Sequence, residues 1–134
     1  MGPLKDIKAI EFSGIGPGPY CGMLLADLGA DVIRVSRKET KGLQNKFDIH
    51  NRSKRTITAD LKNKESVKEL LKLIGQVDVV FEGFRPGVME KLGLGPDECL
   101  KVNPKLVYGR MTGWGQEGPM SKLAGHDINY ISLS

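Results

Sequence analysis

The chain has 134 residues, 40% of them apolar, and a net charge of +4. That length suits one ordinary domain, or part of one, able to bury about 70% of its unfolded surface. No uncharged apolar run approaches the roughly 18 residues of a membrane span, and MGPLKD shows neither a secretory leader nor, with Asp6 in place of Ser or Thr, a myristoylation pattern.

IKAIEF, Ile7 to Phe12, predicts a buried strand. Cys21, Leu24, Leu25 and Leu28 then recur at the spacing of a helix face that points inward, with Gly29 as its stop, and DVIRV, Asp31 to Val35, predicts a second strand. Strand, helix and strand make a βαβ unit, whose right-handed crossover builds parallel sheet. From Ser36 to Arg55 the sequence is polar and basic without periodicity, which predicts a long loop, and long loops in compact domains tend to be functional or disordered. TITAD, Thr56 to Asp60, predicts a third strand. Asn63 can cap a helix that turns Val67, Leu70, Leu71 and Ile74 inward, and Glu65 and Glu69 each precede a lysine by three residues on its outer face.

VDVVFE, Val77 to Glu82, and LVYGRM, Leu106 to Met111, predict the fourth and fifth strands. Between them Pro86 and Pro96 suit the first turns of two short helices ending near Gly93 and before Pro104. A last helix is predicted from about Gly125, still running when the chain stops. The fold class this gives is α/β, a Rossmann-like, mostly parallel sheet with flanking helices.

The glycines of SGIGPGPY, Ser13 to Tyr20, stand where a dinucleotide-binding loop would stand, yet the third glycine of that motif would be needed at Pro19. Pro17 and Pro19 also have no N–H to give a pyrophosphate, and the second strand ends on arginines instead of an acid. A tight turn presenting backbone to a ligand fits better. Arg34 to Lys62 carry nine Lys/Arg against three Asp/Glu. Such a run reads either as a solvated face or, through Arg34 and Arg37 at a strand's carboxyl end, as a grip on a small polyphosphate; Phe47 as its only aromatic argues against nucleic acid. Cys21 and Cys99 lack metal-ligand spacing and read as buried thiols of a reducing compartment. His126 admits two readings, a hydrogen-bonded structural histidine or a base beside a helix start, whose positive end would keep the ring neutral. His50 has no comparable setting.

Five ordered stretches, EFSGIGPGPYCGMLLADLGADVIRVSR, ADLK, FRPGVMEKLGLGP, RMTGWGQEGP and AGHDINY, resemble the family III CoA-transferase (CaiB/BaiF-like) superfamily, and within it the α-methylacyl-CoA racemases. The resemblance runs from Ile7 to Ser134. It implies that residues 1–134 are a truncated N-terminal CoA-binding α/β domain, part of the large domain of that fold. Arg37 and the Ala59, Asp60, Leu61, Lys62 segment would contact coenzyme A, as would the turn Gly83 to Arg85. Gly125, Asp127, Ile128, Asn129 and Tyr130 would border the substrate, and His126 would be one of two catalytic bases.

Inverting a carbon next to a thioester requires a proton acceptor on one face and a donor on the other, with an enolate between. The resemblance gives the second face to an aspartate that lies beyond Ser134, so the chain alone is expected to be inactive. The other consequences are an acyl-CoA thioester as partner, coenzyme A entering with the substrate and no separate cofactor or metal, neither nucleic acid nor membrane, and a homodimer at full length. Fatty acid metabolism in the cytoplasm, a peroxisome or a mitochondrion is the expected setting. CoA transfer between carboxylic acids and a non-catalytic CoA-binding fragment remain as alternatives.

Overall fold

In the computed structural model, residues 2–37 and 48–134 are described. Five strands, β1 (Lys8–Phe12), β2 (Asp31–Ser36), β3 (Arg55–Thr58), β4 (Val79–Glu82) and β5 (Val107–Arg110), form a parallel sheet in the order β3-β2-β1-β4-β5. The helices are α1 (Pro17–Asp27), α2 (Lys64–Ile74), α3 (Val88–Lys91), α4 (Pro96–Val102) and α5 (Asp127–Ile131), with a 3-10 turn at Ile49–Asn51. That turn and the start of β3 replace the second half of the loop expected from Ser36 to Arg55; residues 38–47 of the loop lie outside the described residues.

Alternation along each strand decides what each face meets. Ile10, Phe12, Ile33, Val35 and Val80 point to one side, into a core completed by Leu70 and Ile74 of α2, Met89 of α3 and Cys99 of α4. Ala9, Val32 and Phe81 point to the other side, against Ala26 of α1 and Ala30. Three of the five buried residues of this second core are alanines, where α1 approaches the sheet closely. The buried residues of α1 are Gly18, Pro19, Gly22, Met23 and Ala26. The apolar face expected on α1 is half kept: Cys21 and Leu25 pack against this core, whereas Leu24 is 42% and Leu28 45% exposed, the closest approach being taken by Gly18, Gly22 and Ala26. Cys21 is likewise half-buried, whereas Cys99 is fully buried and donates through Sγ to the Leu94 carbonyl, burial lifting its thiol to about 11.

Local signals account for most of the boundaries. α1 closes in a paired cap, Gly29 N–H to the Ala26 carbonyl and Ala30 N–H to the Leu25 carbonyl, with Gly29 at φ 100°. The Asn63 side chain accepts from the N–H groups of Glu65 and Ser66 and starts α2, of which Leu70 and Ile74 are buried while Val67 and Leu71 are partly so. α4 begins on Pro96, but α3 starts at Val88, because Gly87 takes a left-handed conformation after Pro86. α5 spans Asp127–Ile131, with helical backbone angles at Ser132 and helix-type bonds from the N–H groups of Ser132 and Ser134 to the carbonyls of Ile128 and Tyr130.

Two strands bury a carboxylate, Glu11 on β1 and Glu82 on β4. Glu11 faces α1 and accepts from Lys54 Nζ at 2.5 Å, with neither side chain reaching solvent. Lys54 Nζ also donates to the Pro19 carbonyl at 2.8 Å. Glu82 accepts from the Phe84 N–H at 2.6 Å and from Arg110 Nε at 3.4 Å. Burial lifts both carboxyls above the usual range, against the opposing pull of these donors.

The close approach of α1 has a measurable cost for any larger residue. A Cβ on Gly22 would stand 2.1 Å from Glu11 Oε2 and 2.9 Å from Lys54 Nζ, and neither can swing away without leaving its partner. Gly22→Ala should therefore lose about 1–3 kcal/mol in chemical denaturation, although helix propensity alone favours alanine by about 1 kcal/mol; a stabilised variant would refute the packing argument. For Glu82, a raised native pKa means that the folded chain keeps a proton the unfolded chain has released. Its contribution to stability is therefore greatest at low pH and falls as the pH climbs from about 4.3 through the raised native value. Glu82→Gln removes this decline, so the variant should gain on the parent across that window in denaturation midpoints taken at successive pH values.

Candidate functional site

In an open parallel sheet, ligands enter outside the carboxyl ends of the strands, where successive connections leave in opposite directions. Here that point lies between β1 and β4: the chain leaves β1 toward β2 and β3, then returns to β4 and β5 on the other side. A cleft of about 1210 Å³ opens there.

Three segments build its walls. Gly14 to Tyr20 form the first, leading from β1 into α1. Gly16 caps the helix at φ 69°, a conformation that side chains resist, Gly18 is buried, and Ile15 and Tyr20 are the exposed large side chains of this wall. The segment is a tight turn rather than a dinucleotide loop, with prolines where N–H donors would be needed.

The second wall is the turn after β4, Glu82 to Pro86. Glu82 holds it by taking the Phe84 N–H, and the Arg110 guanidinium bridges Glu82 to Glu90 of α3. Tyr108 carries Arg110 over its ring at 5.9 Å and donates its hydroxyl to the Leu94 carbonyl at 2.8 Å. Burial pushes that phenol up.

The third wall follows β5, with Met111 to Gly113, Leu123 to Asp127 and Tyr130. Its positioning rests on packing, because the five residues of α5 carry little of the helix dipole expected beside His126. The Tyr130 hydroxyl lies against two glycines: a Cβ would come within 2.3 Å of it on Gly125 and 2.6 Å on Gly113. Trp114 meets the Tyr130 ring at 5.5 Å and donates Nε1 to the Ala124 carbonyl. Asn129 accepts from the His126 N–H at 2.9 Å. His126 is exposed in the cleft, which sets aside the reading of a core histidine.

The residues singled out from sequence divide into two groups. Gly83, Arg85, Gly125, His126, Asp127 and Tyr130 meet at the cleft. Arg37 follows β2, and Ala59, Asp60, Leu61 and Lys62 follow β3, at the far end of the same carboxyl edge. There Ala59 is joined to β2 by its N–H on the Ser36 carbonyl and borders a smaller cavity of about 440 Å³ with Ile57, Ser66 and Leu70. Asp60 turns back to accept from the Lys62 N–H. Ile128 and Asn129 belong to α5 but do not line the cleft.

Much of the basic segment serves the fold itself. Arg52 pairs with Asp27 and Arg55 with Asp31, each through two guanidinium nitrogens, while Lys54 is spent on Glu11. Arg34 lies within β2 beside Glu11 and donates to the Ser13 hydroxyl at 2.8 Å, which removes it from the strand-end role expected for it. Conversely, His50 lines the cleft, meeting Tyr20 edge to face at 6.3 Å, with Nδ1 3.4 Å from Asp48. No periodicity marks HNRSK, so its place became visible only when the 3-10 turn was seen to pack on α1. Among the described residues no three His, Cys, Asp or Glu side chains gather as a metal site, and no helix is long and apolar enough to cross a membrane.

This geometry agrees with what known proteins share with the chain. Over 131 residues it is 48% identical to the alpha-methylacyl-CoA racemase of Mus musculus, which covers 98% of the chain and 33% of that protein. A probable fatty acyl-CoA transferase of Mycobacterium tuberculosis is 39% identical over 139 residues, 94% of the chain and 35% of that protein. A crystal structure from M. tuberculosis superposes with a TM-score of 0.89 at 37% identity, over 99% of the chain and 38% of the solved one. The chain thus spans about a third of the length of these relatives. The family model for CoA-transferase family III matches residues 4–134, and with the parallel sheet and its carboxyl-edge cleft in place, the chain belongs to that family.

Proposed function

We propose that these residues form the CoA-binding portion of a 2-methylacyl-CoA racemase and supply one of its two bases, His126. The observation that carries this reading is that exposed His126 lines the cleft together with the glycine-proline turn after β1, in a chain nearly half identical to racemases. Arg37 and Ala59 to Lys62 would hold the nucleotide end of coenzyme A along the β2 and β3 side of the edge. Gly83 and Arg85 would guide the thioester arm toward His126.

The chemistry needs little more from this part. A neutral imidazole takes the proton from the carbon next to the thioester; the electrons of the broken C–H bond move into the C–C bond, and those of the C=O bond onto oxygen as an enolate. Protonation of the opposite face completes inversion, and regeneration of the imidazole closes the cycle. Family resemblance gives the second proton carrier to an aspartate outside these 134 residues. Tyr130 and Asn129 would keep the segment bearing His126 at a fixed distance from the reacting carbon, where an error of about 1 Å costs on the order of 100-fold.

CoA transfer between carboxylic acids is the second reading, favoured by the transferase relatives, among them a succinyl-CoA--D-citramalate CoA-transferase at 38% identity. One experiment separates the two. In the protein at the length of its relatives, 2-methylacyl-CoA should exchange its α-hydrogen with deuterated water, and His126→Ala should abolish exchange from at least one enantiomer. Unchanged exchange from both would remove His126 from the reaction. Absence of exchange in the parent, together with a trapped aspartyl-CoA or glutamyl-CoA species, would establish transfer instead.

A further inference from the structure

We propose that Lys54 is a positioning residue of the cleft, acting through the first turn of α1; its kinetic consequence rests on the acyl-CoA reading above, its structural consequence does not. Lys54 Nζ is removed from solvent and has two partners, Glu11 on β1 at 2.5 Å and the Pro19 carbonyl at 2.8 Å. Glu11 immediately precedes Phe12, and Pro19 lies between Gly18 and Tyr20, so both partners sit in the chain that builds the first wall of the cleft. The third attachment is covalent. Lys54 follows the 3-10 turn that brings His50 to the same cleft, and Arg52 fastens that turn to Asp27 at the far end of α1.

A buried charge pair alone would explain Glu11 and Lys54 as mutual compensation. The second bond goes further, because a helix carbonyl needs no cation for its stability. It ties the lysine to the wall itself, and Gly22 leaves no room for the pair to shift: any Cβ there would collide with both members. Lys54 thus joins the glycine-proline wall and His50 into one rigid rim. The wall carrying His126 is built separately, from residues 111–130.

Two variants separate positioning from charge compensation. Lys54→Met leaves Glu11 buried without its partner, whereas the double variant Glu11→Leu/Lys54→Met removes both charges and should recover most of the lost thermal midpoint. Neither restores the donor to Pro19. At the length of the relatives, both variants should therefore raise KM for 2-methylacyl-CoA about tenfold and leave kcat within about twofold. Hydrogen exchange at the Gly18, Tyr20 and Cys21 amides should accelerate in both. A double variant with parental KM and parental exchange would overturn the proposal, since Lys54 would then only balance Glu11. If the parent does not turn over acyl-CoA, the functional reading fails and the exchange measurement still decides: faster exchange in the folded double variant supports positioning, and parental exchange refutes it.

Discussion

A carboxylate with no access to water has to be answered by a cation, and Glu11 on the central strand is answered by Lys54 from 43 residues away. The pair occupies the space between β1 and α1 that a side chain at position 22 would need. Glycine there lets the helix lie close, Gly18 and Ala26 share its buried face, and Leu24 is left exposed. Next to it, just before and at the start of β3, Arg52 pairs with Asp27 and Arg55 with Asp31. A charged contact that is costly to desolvate thus specifies which chain segments meet, a role that exposed ion pairs such as Lys72 with Glu69 do not have.

The cleft follows from topology. A parallel sheet whose order is β3-β2-β1-β4-β5 must leave a crevice where the connections diverge, and the residues just past β1, β4 and β5 are delivered to it. What occupies those positions is chemically distinct on each wall: a glycine-proline turn after β1, a carboxylate-held turn after β4, and a histidine on a tyrosine-tethered segment after β5. The chain belongs to CoA-transferase family III, and the relatives it matches are named both as a racemase and as CoA-transferases.

The five strands, the α2 cap at Asn63 and the start of α4 at Pro96 were legible in the sequence because they depend on local chemistry: alternation, an amide that accepts two N–H groups, a ring with no donor to lose. Five ordered motifs also disclosed the family before any coordinate did. A misreading arose where two local patterns competed. On α1 the expected apolar face was met only in part: Cys21 and Leu25 pack against the core, while small residues at positions 18, 22 and 26 take the closest approach to the sheet and leave Leu24 exposed. Near the end of the chain, Ser132 still has helical backbone angles, and its N–H and that of Ser134 reach the carbonyls of Ile128 and Tyr130 four residues back.

Residue types and their spacing therefore determined by themselves the element order and the fold class, whereas most candidate residues of the cleft came through the family resemblance of five ordered motifs. Tertiary structure alone decided that Lys54 is buried against Glu11, that Arg34 serves β1 and the Ser13 hydroxyl, and that His50 shares a cleft with His126. The division has a physical origin. Strand alternation and helix capping are set by bonds among neighbours, whereas the partner of a charge is set by whichever distant segment the sheet brings within about 3 Å of it, and no spacing along the chain records that distance.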